Sequence, residues 1–225
     1  MTHLNIIVEG HAEETFVREV LSPHFAALGK VVNQRRAEVS RDTEKIHRGG
    51  ILNYSKFRQD IVNWLNQEKQ AVVTTMADLY KFRLPKDISK RPAWEEARQK
   101  ADPYQKVDAL ERLLAEDINS PRFIPYIQLH EFEALIFSDL TSLASYYPVQ
   151  KSGINQLAVD VSHLPNPEWI NEGEDTAPSK RILSVVPAYD KATAGAVIAL
   201  DLGLANLRTK CPHFNKWITC LESLP

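Results

Sequence analysis

The chain has 225 residues, 44% of them hydrophobic, and 27 basic against 29 acidic side chains give a net charge of -2. That balance supports a sizeable core and excludes a protein held on nucleic acid by overall charge, while local basic patches stay open. With no basic-then-apolar leader and no apolar run near the roughly 18 residues a membrane span needs, the expected location is the cytoplasm, with no membrane partner and reduced, buried thiols at Cys211 and Cys220.

The opening run Leu4-Asn5-Ile6-Ile7-Val8 reads as a buried strand, and Gly10 lets the chain turn sharply into a helix. Glu9 is left at the strand's carboxyl end, and Glu13 falls in the first helical turn, where side chains lean back toward that strand tip. Phe16, Val17, Val20, Leu21, Phe25 and Leu28 mark one apolar helix face, with a kink or restart expected at Ser22-Pro23 and an end at Gly29. Val31, Val32 and Val39 bracket a second strand. A basic loop with Arg41, Lys45, His47 and Arg48 follows, ending in Gly49-Gly50, and its expected use is contact with an anion.

Asn53 is a suitable cap for a helix built on Tyr54, Phe57, Ile61, Trp64 and Leu65. The third strand, Ala71 to Asp78, ends in an acid like the first, so Asp78 is expected at the same sheet edge as Glu9. Leu79 to Pro92 is irregular and lysine-rich, long enough to act as a lid. Val107, Leu110, Leu113 and Leu114 predict a further helix, and Arg122 to Leu129 a fourth strand in which Pro125 requires an edge position or a bulge. A helix start rich in acids, with Glu131 and Glu133, comes next. Alternation of this kind predicts a parallel α/β sheet of about four strands flanked by helices, occupying residues 1–140. From about Asp139 the strand signals stop, and residues 141–225 are expected to form a helical extension, with a loop over residues 171–175 and one last helix through Leu221. Lys180 and Arg181 lie in the first turn after Pro178, where the helix dipole disfavours cations unless an anion is near.

Glu9, Glu13, Asp78, Glu131 and Glu133 thus map to one sheet edge, the place where ligands bind in open α/β folds. Oxygen ligands without cysteine suit Mg²⁺ or Mn²⁺ better than zinc, and phosphodiester chemistry is the natural use of such a site. Each acid also has a plain alternative: helix-start and strand-end carboxylates cap amides without any ion.

Ile6-Ile7-Val8-Glu9-Gly10 followed by Glu13 resembles the first motif of Toprim domains, and the third strand ending in Asp78 resembles the second. Nearly the whole chain, including Leu129-His130-Glu131-Phe132-Glu133-Ala134-Leu135, Pro178-Ser179-Lys180-Arg181-Ile182 and Cys211-Pro212-His213-Phe214, is similar to a bacterial family of stand-alone Toprim-like proteins of unknown function. That resemblance implies a Toprim/Rossmann-like fold related to the overcoming-lysogenization-defect nucleases, a partner ATPase and a part in phage defence. It makes Glu9 the general acid or base and a metal ligand, with Glu13 and Asp78 further ligands. Toprim expects Asp-x-Asp where this chain has Asp78-Leu79-Tyr80. Glu133, and after it Glu131, are the candidates for the missing ligand; Lys180, Arg181 or Lys191 would offset charge on a transition-state phosphate. Three readings follow. The first is a Mg²⁺- or Mn²⁺-dependent nuclease on DNA or RNA, with a homodimer open. The second is a decayed regulatory module docking to the ATPase. The third, a phosphotransferase, is disfavoured because the chain has no Gly-x-x-x-x-Gly-Lys loop.

Overall fold

The protein is seen in a computed structural model that describes residues 1–37, 54–80, 82, 84–85, 90–170, 173 and 175–225. The basic loop, Val39, the Asn53 cap, parts of the proposed lid and residues 171, 172 and 174 lie outside the described residues.

Strand β1 (Thr2–Val8) leads into α1 (His11–Phe16), a π-helical turn (Val17–Leu21) and α2 (Ser22–Ala27). Pro23 has no amide to give, and the helix adapts instead of breaking: Ser22 donates its N–H to the Val17 carbonyl five residues back, and its Oγ reaches the same oxygen at 2.9 Å. Gly29 takes a positive φ of 73°, which returns the chain to β2 (Lys30–Arg36). Then come α3 (Tyr54–Gln67), β3 (Val72–Asp78), α4 (Arg91–Gln99) and α5 (Pro103–Ile118). Asp102 caps α5, accepting the Tyr104 and Gln105 amides at 2.8 and 3.0 Å, and Asn119 ends it in a left-handed turn.

All strand pairs described are parallel, in the order β2-β1-β3-β4. The fourth strand is cut into β4 (Phe123–Ile124) and β5 (Ile127–Gln128) around Pro125, and both pieces pair with β3 at the sheet edge. Pro125 therefore produces both an edge strand and a break in its ladder. The Glu111 carboxylate takes the Ile127 N–H at 2.7 Å.

One face of the sheet, with Leu4, Ile6 and Val8, packs against α1, α2 and the C-terminal helices; the other, with Ile7, packs against α3, α4 and α5. The C-terminal helices are α6 (Leu140–Tyr146), α7 (Lys151–Val161), α8 (Pro178–Val185), α9 (Ala194–Leu202), α10 (Leu204–Lys210) and α11 (Pro212–Glu222). The single last helix expected from sequence is divided. Gly203, at φ 75°, separates α9 from α10, and Pro212, with no amide, starts α11. Cys211 is buried, but Cys220 is exposed because Trp217, Ile218 and Leu221 occupy the core face of α11. Trp217 stacks on Tyr126 at 4.2 Å and 7°, and its indole N–H reaches Thr74 Oγ1 at 2.9 Å.

The segment after β3 does not read as a lid in its described residues. Leu79 and Phe82 are buried among α3, α4 and α5, with Phe82 stacked on Trp94 at 6.0 Å. Among the described residues no helix is long and apolar enough to cross a membrane.

Candidate metal centre

The register Val8↔Met76 brings the ends of β1 and β3 side by side. Glu9, just past β1, accepts the backbone N–H of Asp78 on Oε2 at 3.1 Å. Gly10 bridges to α1 in extended backbone, and the absence of a side chain matters here: a Cβ would lie 2.9 Å from Glu13 Oε2. The bare backbone lets the Glu13 carboxylate lie back toward the strand tip.

The other acids arrive from beyond β5. Tyr80 N–H donates to the His130 carbonyl at 3.0 Å and Leu79 N–H to that of Gln128 at 2.9 Å, which ties the two strand ends together. His130 adopts φ 61°, a left-handed conformation that costs a non-glycine residue on the order of 1 kcal/mol. Glu131 then runs extended at φ -145°, and Phe132–Ser138 form a 3₁₀ helix. From sequence, Glu131 and Glu133 are expected at the start of a helix. The segment is wholly buried and wound tighter, so both carboxylates reach one centre. Asp78 Oδ1 accepts the Phe132 N–H at 2.8 Å, whereas Oδ2 is buried with no hydrogen-bond donor.

Lys191 enters this cluster from the turn between α8 and α9. Its Nζ stands 2.5 Å from Glu133 Oε2, 3.5 Å from Glu131 Oε1 and 3.9 Å from Asp78 Oδ2. Burial opposes its charge, but Glu133, Asp78 and Glu131 outweigh that and hold the ammonium protonated beyond the ordinary lysine range. Burial raises Glu13 to about 7, against a local backbone hydrogen bond and with Glu9 adding to the rise. Burial likewise lifts Asp78 and Glu133, with Lys191 opposing the rise in both. Glu9 and Glu133 add to the rise at both Glu13 and Asp78, the field of a site that takes up protons or a cation. The donor set is of the kind that suits Mg²⁺ or Mn²⁺: hard carboxylate oxygens, and an Asp78 oxygen that, among the described residues, accepts no hydrogen bond and meets only the Lys191 ammonium at 3.9 Å. Glu9, Glu13 and Asp78 are the residues that would hold it.

The structure does not bring Lys180 or Arg181 into the cluster. Lys180 is exposed, and Arg181 turns its Nε to the Thr176 carbonyl at 2.7 Å. The anion at the start of α8 is Glu131 itself, whose Oε2 accepts the Ser179 N–H at 3.0 Å. Tyr80, two residues past Asp78, is 38% exposed. Three contributors had no site role in the sequence reading. They are the Ser179 amide, Tyr189, whose hydroxyl donates to Glu133 Oε1 at 3.4 Å, and Gly195, where a Cβ would lie 2.8 Å from that hydroxyl.

Behind the centre, Glu168 is fully buried and accepts the His213 N–H, the Phe214 N–H and the Tyr104 hydroxyl, each at 2.9 Å. It fixes the start of α11. A separate trio, Asp108, Glu111 and His213, brings ligand atoms within 4.8 Å of one another. Its members are already engaged: Asp108 with Lys216 at 2.9 Å, and Glu111 with Ile127 N–H and with His213 Nε2 at 3.0 Å.

Fold and site together define a parallel α/β protein with an acidic centre at the carboxyl edge of its sheet and a lysine set among the acids. The chain belongs to the family described as "Domain of unknown function (DUF4276)", whose model matches residues 8–222. Among solved structures it is similar to the C-terminal region of the Burkholderia pseudomallei OLD protein, with a TM-score of 0.47 and 12% identity over 98% of each chain. No curated protein matches it.

Proposed function

We propose that this chain is a Mg²⁺- or Mn²⁺-dependent nuclease of the Toprim type, acting on DNA or RNA phosphodiesters in concert with a partner ATPase, in phage defence. The observation that carries the reading is the convergence of Glu9, Glu13 and Asp78 at two adjoining strand ends, with Asp78 Oδ2 buried and, among the described residues, accepting no hydrogen bond. The first-motif resemblance at Glu9-Gly10 and Glu13 supports the same chemistry.

A divalent ion bound there supplies an activated water and charge neutralisation at the phosphate. The chain's own groups do the rest. Glu9, held by the Asp78 amide, accepts the proton of the attacking water. Lys191, about a third exposed, faces both the acids and solvent and can meet a phosphate oxygen. Gly10 and Tyr189 set the positions of Glu13 and Glu133.

A second reading, a regulatory module docking to the ATPase, is favoured by one observation: Tyr80 stands exposed in place of the second Toprim aspartate. The two separate by calorimetric titration of Mg²⁺ and Mn²⁺ into wild type and Glu9→Gln, with parallel cleavage of plasmid DNA and structured RNA. A nuclease shows Glu9-dependent binding and cleavage, both lost in Glu9→Gln. Glu9-dependent binding without cleavage marks a silent enzyme awaiting its ATPase, and absence of Glu9-dependent binding overturns the metal reading and supports the regulatory module.

A further inference from the structure

Between α7 and the junction of α10 with α11 lies a cavity of about 610 Å³, inside the range of roughly 300–1,000 Å³ usual for small-molecule sites. Its floor includes Phe137, Pro167 and Ile170, all buried, and its rim Ala158, Lys210 and Pro212, all exposed. None of Glu9, Glu13, Asp78, Glu131, Glu133 and Lys191 lines it, so it is separate from the acidic centre.

We propose that this cavity binds a small amphipathic anion: an apolar body, aromatic or aliphatic, lies against the walls, and one acidic group meets the Lys210 ammonium.

The walls offer carbon because their polar side chains are occupied. Ser162 Oγ donates to the Val159 carbonyl at 2.7 Å, and Thr209 Oγ1 to that of Ala205 at 2.8 Å. Asn166 Oδ1 accepts the Glu168 N–H at 2.9 Å, Asp139 Oδ1 accepts the Thr141 N–H at 2.9 Å, and Ser138 Oγ lies 3.5 Å from Cys211 Sγ. Lys210 differs. Among the described residues its ammonium has neither an ion pair nor a hydrogen bond, and it is not paired with Asp139 although both line the cavity. A cation with three donors at the rim of an apolar hollow is complementary to an anion with an apolar body.

The hollow is also formed in advance. Pro165, Pro167 and Pro212 fix the backbone φ along its walls, while Phe137 and Ile170 belong to the main core. Little ordering is then left for a ligand to drive. Phe137 and Ser138 end the same 3₁₀ helix that carries Glu133, so an occupant would bear on the frame of the acidic centre without touching an acid.

The test uses the full chain and anilinonaphthalene sulfonate, a dye with an aromatic body and one sulfonate that brightens in apolar surroundings. Wild type is expected to bind it saturably at a single site. Ala158→Trp, at an exposed wall position, fills the hollow and is expected to abolish that site. Lys210→Gln is expected to bind about tenfold more weakly, and Lys210→Arg, which keeps the charge, as wild type does. Both positions are exposed, so all three variants are expected to melt with wild type, which separates loss of the site from loss of the fold. Adenosine monophosphate and phenylpropanoate then compete with the dye: displacement by the first assigns the acidic group to a nucleotide, by the second to an aromatic carboxylate. Displacement by inorganic phosphate at the same concentration overturns the proposal, since the apolar body then contributes nothing. No dye binding in wild type, or binding that either Ala158→Trp or Lys210→Gln leaves unchanged, overturns it as well.

Discussion

The α-carbon of Gly10 faces the Glu13 carboxylate so closely that a methyl group there would stand 2.9 Å from Oε2. The backbone at Gly10, φ -138° and ψ -171°, is open to any residue, so alanine is excluded by its neighbour and not by its own conformation. Gly10→Ala should therefore keep the fold, with stability within about 1 kcal/mol of wild type. It should push Glu13 aside and weaken Mn²⁺ binding about tenfold. Calorimetry and thermal melts on the same samples check this, and unchanged affinity would remove Glu13 from the ligand set.

Glu168 supports α11 in a way that one substitution exposes. Glu168→Ala leaves two buried amides, His213 and Phe214, without their acceptor, while the Tyr104 hydroxyl keeps Asn166 Oδ1 at 3.0 Å. The expected loss is about 3 kcal/mol in urea unfolding, since buried donors left unmade are costly. A loss under about 1 kcal/mol would mean that water replaces the carboxylate with ease.

Arg122 joins the β4 entrance to the end of α3. Its guanidinium donates to the carbonyls of Glu68, Ala71 and Leu65 at 3.0, 3.0 and 2.8 Å, closing a helix end that has no other cationic cap in its last turn. Arg122→Met should cost about 2 kcal/mol and leave Mn²⁺ affinity unchanged. A variant as stable as wild type would show those carbonyls to be satisfied otherwise.

The stability of the α5 to α11 contact should depend on pH through His213. Burial disfavours its charged form, but Glu111, Glu168 and Asp108 outweigh burial and raise its pKa above the ordinary 6.5. The folded state thus holds the proton more tightly than the unfolded chain. The stabilisation from this histidine is complete below pH 6.5 and fades as pH rises through the raised folded value. Melting wild type and His213→Gln across pH 5.5 to 9, the gap between them should narrow as pH rises. A gap that widens toward alkaline pH would reverse the sign of the coupling.

The acids of the first and third strands were legible because each ends a short, largely apolar and β-branched run, and parallel pairing aligns such ends whatever else the chain does. Pro125 was equally legible, since a missing amide has few places in a sheet. Glu131 and Glu133 were legible at the right sheet edge, but their winding was not. Their convergence depends on the left-handed His130 and a 3₁₀ winding, and both are imposed by packing that no local pattern records. Lys191 was named for its charge, while its seat among three carboxylates comes from a turn fixed over 50 residues away in sequence. Glu168 gave no signal at all. It sits in a three-residue 3₁₀ turn, and its partners are backbone amides, which every residue carries.

The stack of Trp217 on Tyr126, nearly parallel and buried where α11 meets the sheet, has an optical consequence. Two aromatic transitions held face to face in a chiral setting couple, and the pair should dominate the near-ultraviolet circular dichroism of the folded chain. That signal belongs to the seam between strand and helix. It gives an intrinsic dye for following α11 onto and off the sheet with no label attached.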